Sequence, residues 1–181
     1  MNRGSTGVDY LWIGKKAFSL ADQFELLTIA VSQHLDKKKL RFPVAARGLL
    51  GPDNPPPAST NELRLAGPAF REAARDARDF IQTQQRVPAR IFIGADAVAP
   101  ADFLVALAFA YDAISRKGIL PATDEIPIGA NTGVWPARHI AKDTPNLFGG
   151  WVIHKEGFRA PKVLEVARLQ AWTLKPALRK D

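Results

Sequence analysis

Leu11-Trp12-Ile13-Gly14-Lys15-Lys16-Ala17-Phe18-Ser19-Leu20-Ala21-Asp22 and Ile91-Phe92-Ile93-Gly94-Ala95-Asp96-Ala97-Val98-Ala99-Pro100-Ala101-Asp102 are one passage written twice, 80 residues apart. The register continues beyond them. Leu27 falls on Leu107, Ala30 on Ala110, Lys37 on Lys117 and Leu40 on Leu120, which makes nine identities over about 28 gap-free positions from Ile13. Each copy reads as a short strand, a glycine turn and an amphipathic helix. In the first, Ser19 caps the helix with Asp22 three residues on, and Phe24, Leu27, Val31 and Leu35 line one face. In the second, Pro100 takes the first helical position and Phe103, Leu104, Leu107, Tyr111 and Ile114 form the apolar face. Asp22 and Asp102 are read as first-turn acids that favour helix starts, not as a catalytic carboxylate pair.

Outward from the repeat, apolar residues at Phe70, Ala73, Ala74, Ala77, Phe80 and Ile81 predict a helix over about Ala69 to Gln84. Its other face, Arg71, Glu72, Arg75, Asp76, Arg78 and Asp79, alternates in sign and reads as solvated. This helix is expected to pack between or across the two copies, since a repeat unit cannot bury its apolar face alone. A fourth helix is predicted from Pro161 to about Leu174, carrying Val163, Val166, Ala167, Leu169, Trp172 and Leu174, with Pro176 as its stop. Extended pieces are predicted at Tyr10 to Ile13, Pro43 to Leu50, Arg90 to Ile93 and Ile126 to Ile128. Gly51 to Thr60, with Pro55-Pro56-Pro57, reads as a surface connector. The expected fold is a helix-dominated α+β domain: two strand-turn-helix repeats plus two further amphipathic helices with short strands. A single domain spans 1–181, with repeat copies over about 10–51 and 90–129 and a C-terminal non-repeat segment, 131–181.

Composition narrows the chemistry. With no Cys there is no disulfide, thiolate nucleophile or zinc–thiolate site, and three His leave little for an imidazole metal cage. No cofactor is expected. No run approaches 18 apolar residues, so no membrane span is expected, and Met1 to Tyr10 lacks the apolar region of a secretion signal. The net charge is +7, and it sits at the ends: residues 1–50 hold eight Lys/Arg against four Asp/Glu, and residues 151–181 seven against three. Two basic ends suit an acidic partner surface. The densest run, Lys37-Lys38-Lys39-Leu40-Arg41, lies where a helix should end and complements its carbonyl dipole, with a polyanion contact as the other reading.

Arg41-Phe42-Pro43 and Arg86-Val87-Pro88 each follow a helical stretch, and the Pro forces the residue before it out of helical geometry. Phe70 to Ile81 followed by Gln85-Arg86-Val87-Pro88, together with Ile13-Gly14-Lys15 followed by Ser19 and Phe24, resembles the pseudomurein-binding repeat. The resemblance covers roughly Tyr10 to Gly129. Gln85 and Leu40 stand where the family's helix corner has glycine, and Gly118 before Ile119-Leu120-Pro121 keeps it. The family implies a non-catalytic cell-wall anchor, attached to a larger protein, with a polysaccharide or cell-wall polymer as partner. It also implies a cell-surface or extracellular place; without it, the composition suits the cytoplasm.

The non-repeat segment from Asn131 to His154 holds Trp135, Trp151 and two Asn. Sugar rings stack a C–H face on aromatics while their hydroxyls need donors and acceptors, so the expected ligand set is Trp135 and Trp151 for stacking and Asn131, Asn146 and His154 for hydrogen bonds. Arg86 or Arg138 would meet an acidic group. The other reading of both Trp residues is core packing. A basic nucleic-acid-binding or protein-interaction domain is the alternative function, from the charge. A third is a hydrolase built on His139, Asp143 and His154 with Asp124 or Glu125, although no nucleophile, phosphate-loop or metalloprotease motif accompanies them.

Overall fold

The computed structural model describes residues 9–36, 44–55, 57, 63–118, 120, 126–128 and 161–176. In chain order these form β1 (Leu11–Ile13), β2 (Lys16–Phe18), α1 (Leu20–Leu35), β3 (Leu63–Leu65), α2 (Gly67–Gln84), β4 (Ile91–Ile93), β5 (Asp96–Val98), α3 (Pro100–Lys117), β6 (Ile126–Ile128), α4 (Pro161–Gln170) and a 3-10 turn (Ala171–Thr173). The fold is helix-dominated α+β.

The repeated passage folds twice into the same unit, a hairpin followed by a helix. Leu11 pairs with Phe18, Trp12 with Ala17 and Ile13 with Lys16; 80 residues on, Ile91 pairs with Val98, Phe92 with Ala97 and Ile93 with Asp96. Gly14 (φ +57°) and Gly94 (φ +60°) open the two-residue turns. A first turn residue at positive φ matches the twist of tight hairpins and favours glycine. The stretch after the glycine, expected to lead straight into the helix, is instead the second strand of the hairpin.

Helix starts and stops follow local chemistry. Ser19 Oγ accepts from the Asp22 N–H at 3.1 Å and Asp22 Oδ2 accepts from the Ser19 N–H at 2.8 Å, a complete capping box on α1. Pro100 opens α3 behind Ala99, which makes no side-chain cap bond. The corners after α2 and α3 share one geometry: Gln85 (φ +50°) and Gly118 (φ +74°) are both left-handed, donating back to the carbonyls of Ile81 and Ile114. Gln85 adopts that conformation without being glycine, at a cost of roughly 1 kcal/mol.

The core forms around α1, whose largest helix contacts are with α3 and α2. As expected, α2 packs across both copies, against α1 of the first and β4 of the second, while α1 packs on both α2 and α3. Central placement explains why α1 buries Asp22, Glu25, Thr28 and Ser32 as well as Phe24, Val31 and Leu35. Aromatic rings tie the layers: Phe24 to Phe103 at 6.4 Å, Phe70 to Phe103 at 5.7 Å, and Trp172 edge-on to Phe24 at 6.4 Å. Ala73, Ala74 and Ala77 let α2 approach closely, and Ser32 Oγ donates to the Ala74 carbonyl at 3.1 Å. At the far end Asp36, the C-terminal cap of α1, accepts from Arg75 Nε at 2.8 Å and Arg78 Nη1 at 2.6 Å. Part of the charged α2 face therefore clamps α1 and is not simply solvated.

β3 pairs antiparallel with β6, Leu63 opposite Ile128, which returns the chain after α3 to the start of α2. The extended piece expected from Pro43 to Leu50 forms no strand over its described part, residues 44–50. Its one bridge is at Leu50, which donates to the Gln85 carbonyl and accepts from the Val87 N–H. The C-terminal helix also differs. It is α-helical only to Gln170, and Val166 and Leu174 of its expected apolar face are exposed, while Ala171 and Trp172 are buried.

Candidate functional site

Both hairpins carry an exposed aromatic at the same register position. Trp12 is 43% exposed opposite Ala17, and Phe92 is 61% exposed opposite Ala97. Cross-strand partners share a face of the ladder, and a methyl group is too small to cover an aromatic ring. Leu11 and Ile13 extend the apolar surface of the first hairpin. The sequence carried this signal, because the offset that aligns the copies also aligns Trp12 with Phe92.

At the base of the first hairpin lies a groove of about 420 Å³ bordered by Lys15, Lys16, Phe18, Arg47 and Lys175, with Asp22 beneath. Two of its cations are seated on buried carboxylates. Lys175 Nζ lies 2.7 Å from Asp22 Oδ2. Glu25, buried in α1, accepts from the Arg47 N–H at 2.8 Å and faces Arg47 Nε at 3.4 Å. Burial pushes the Asp22 carboxyl up, but Lys175 and the Ser19 cap more than offset this and hold it below its ordinary value. Hydrogen bonds from Arg78 and then Arg75 lower Asp36 in the same direction.

The sign follows from those shifts. A carboxyl whose pKa falls on folding contributes stability above its unfolded pKa of about 4 and loses that contribution as pH drops through the folded value. Lowering pH from 6 to 3 should therefore depress the urea midpoint. Asp36→Asn, which already lacks the charge, should show a smaller depression than the parent chain, as read from denaturation curves at the two pH values. An equal depression would mean that this carboxylate does not contribute to the acid limb.

Of the residues expected to bind ligand, Arg86 is placed: it sits at the corner after α2, with Nη1 3.2 Å from Asp53 Oδ2. It does not border the groove. Trp135, Trp151, Asn131, Asn146, His154 and Arg138 lie outside the described residues, as do His139, Asp143 and the Lys37 to Arg41 run. Among the described residues no three His, Cys, Asp or Glu gather as a metal site. No helix of the described residues is long and apolar enough to cross a membrane. The chain matches no protein-family model, no curated protein and no solved structure.

Proposed function

We propose that this chain is a non-catalytic binding module for a polysaccharide or cell-wall polymer, working as part of a larger protein at a cell surface. The observation that carries the reading is the duplicated hairpin with an exposed aromatic at one register position, Trp12 and Phe92. A polymer repeats, and two stacking shelves on one chain would engage it twice, so weak contacts multiply through effective concentration. The resemblance to the pseudomurein-binding repeat, carried in part by Ile13-Gly14-Lys15 of the first hairpin, supports it. Trp135 and Trp151, with Asn131, Asn146 and His154, would extend the surface, and Arg86 or Arg138 would meet an acidic group.

Co-sedimentation with insoluble cell-wall preparations and chitin tests the reading. Trp12→Ala and Phe92→Ala should each weaken binding by about 2 kcal/mol, near thirtyfold, with unchanged melting, because both rings are exposed. If neither variant, nor Trp135→Ala or Trp151→Ala, changes retention, the aromatic reading fails. If the chain ignores every glycan yet retards duplex DNA with a steep salt dependence, the basic nucleic-acid reading replaces it.

A further inference from the structure

We propose that the groove beside the first hairpin receives an anionic substituent of the ligand, so that the polymer recognised is an acidic polysaccharide. This rests on the binding-module reading and specifies its substrate class. Comparison of the two copies is the first argument. At offset 80, Lys15-Lys16 of the first hairpin stand where the second has Ala95-Asp96, with the same pairing register and the same glycine geometry. Folding the hairpin therefore does not require the two lysines. Their charge is an addition to one copy.

The second argument is how the other cations are held. Lys175 and Arg47 are about half exposed, 47% and 55%, yet each is pinned at one point by a carboxylate buried in α1. An ammonium has three donors and a guanidinium five, so each retains donors after its contact with Asp22 or Glu25. The buried acids fix these cations at the groove before any ligand arrives, which lowers the ordering cost of binding. Lys16 adds an exposed charge that makes no ion pair among the described residues.

Size and position favour a sugar acid over a nucleic acid. A groove of about 420 Å³ suits one ring with its carboxylate or phosphodiester oxygens, whereas a duplex needs cations spaced along several phosphates. Ala17, the cross-strand partner of Trp12, also borders the groove. One hairpin therefore offers a stacking face and a cationic recess side by side. Either source of the anion, a uronic carboxylate or a phosphodiester in the glycan, presents the same oxygens.

The test is the double variant Lys15→Ala with Lys16→Asp, which writes these two positions of the second hairpin into the first and so keeps a sequence the fold already tolerates. Affinity electrophoresis would compare it with the parent chain in gels containing polygalacturonate, a glycerol-phosphate polymer, or neutral dextran and soluble chitin fragments, with duplex DNA as a separate lane set. The expected result is tighter retention of the parent by one of the acidic polymers than by the neutral glycans. The variant should lose at least tenfold on that polymer and nothing on neutral glycan, with unchanged circular dichroism. Which acidic polymer responds identifies the source of the anion. Equal retention on acidic and neutral glycans, or a variant that binds like the parent, overturns the inference while leaving the binding-module reading in place. Retardation by DNA alone overturns both.

Discussion

Trp172→Ala is expected to cost about 3–5 kcal/mol, the range for emptying a large aromatic site in a packed core. Trp172 is fully buried and meets Phe24 edge-on, so the ring joins the C-terminal 3-10 turn to the N-terminal part of α1. Among the described residues its buried Nε1 has no hydrogen-bond partner. That makes a second comparison decisive. Trp172→Phe removes a polar atom that forms no bond among the described residues and keeps most of the ring, so its cost should stay below roughly 2 kcal/mol. Urea denaturation of both variants measures the difference. Similar losses for Phe and Ala would mean that the indole nitrogen, and not the ring volume, holds this segment. The effect should reach the groove, since Lys175 lies three residues beyond Trp172 and depends on the same docking to meet Asp22.

Gly51→Ala should also be strongly destabilising, by about 1–3 kcal/mol, the usual cost of overpacking. A Cβ on Gly51 would run into the Leu169 carbonyl oxygen and would stand 3.2 Å from the Trp172 Cβ. The first obstacle is backbone and cannot swing aside. Gly14→Ala is the contrast: nothing lies within 4 Å of its added Cβ, and only the positive φ opposes it. That strain is worth about 1 kcal/mol. Thermal melts of the two variants should rank Gly51→Ala as the less stable, and the reverse order would show that α4 does not approach the 50s segment this closely.

What was legible in the sequence is what local chemistry determines. Ser19 and Asp22 spell a capping box, Pro100 and Gly118 bracket a helix, and the matched Gly14 and Gly94 announce equivalent turns. The Gln85 corner was readable only by analogy with Gly118, since glutamine gives no sign of left-handed backbone. The β3–β6 pairing was hidden because three-residue strands show no periodicity and their partners are far apart along the chain. The central position of α1 was hidden for a different reason: Asp22, Glu25, Thr28 and Ser32 look like a solvent face until the elements packed over them are known. For the site, aromatic density drew attention to Trp135 and Trp151, whereas Trp12 and Phe92 stood in the aligned strands as a pair. The groove was not readable at all. Lys15, Arg47 and Lys175 converge only through the packing of three separated segments against α1.

The β3–β6 ladder sets how this chain would respond to tension. Leu63 lies opposite Ile128, so the backbone before residue 63 and the backbone after residue 128 leave the ladder at the same end. A pull between those two points opens the pairs in succession, from Leu63–Ile128 to Leu65–Ile126, in the manner of a zipper. It does not shear all of them at once. Because Ile126 and Ile128 are buried and β6 packs on α3, opening this short ladder also loads the contact between β6 and the core.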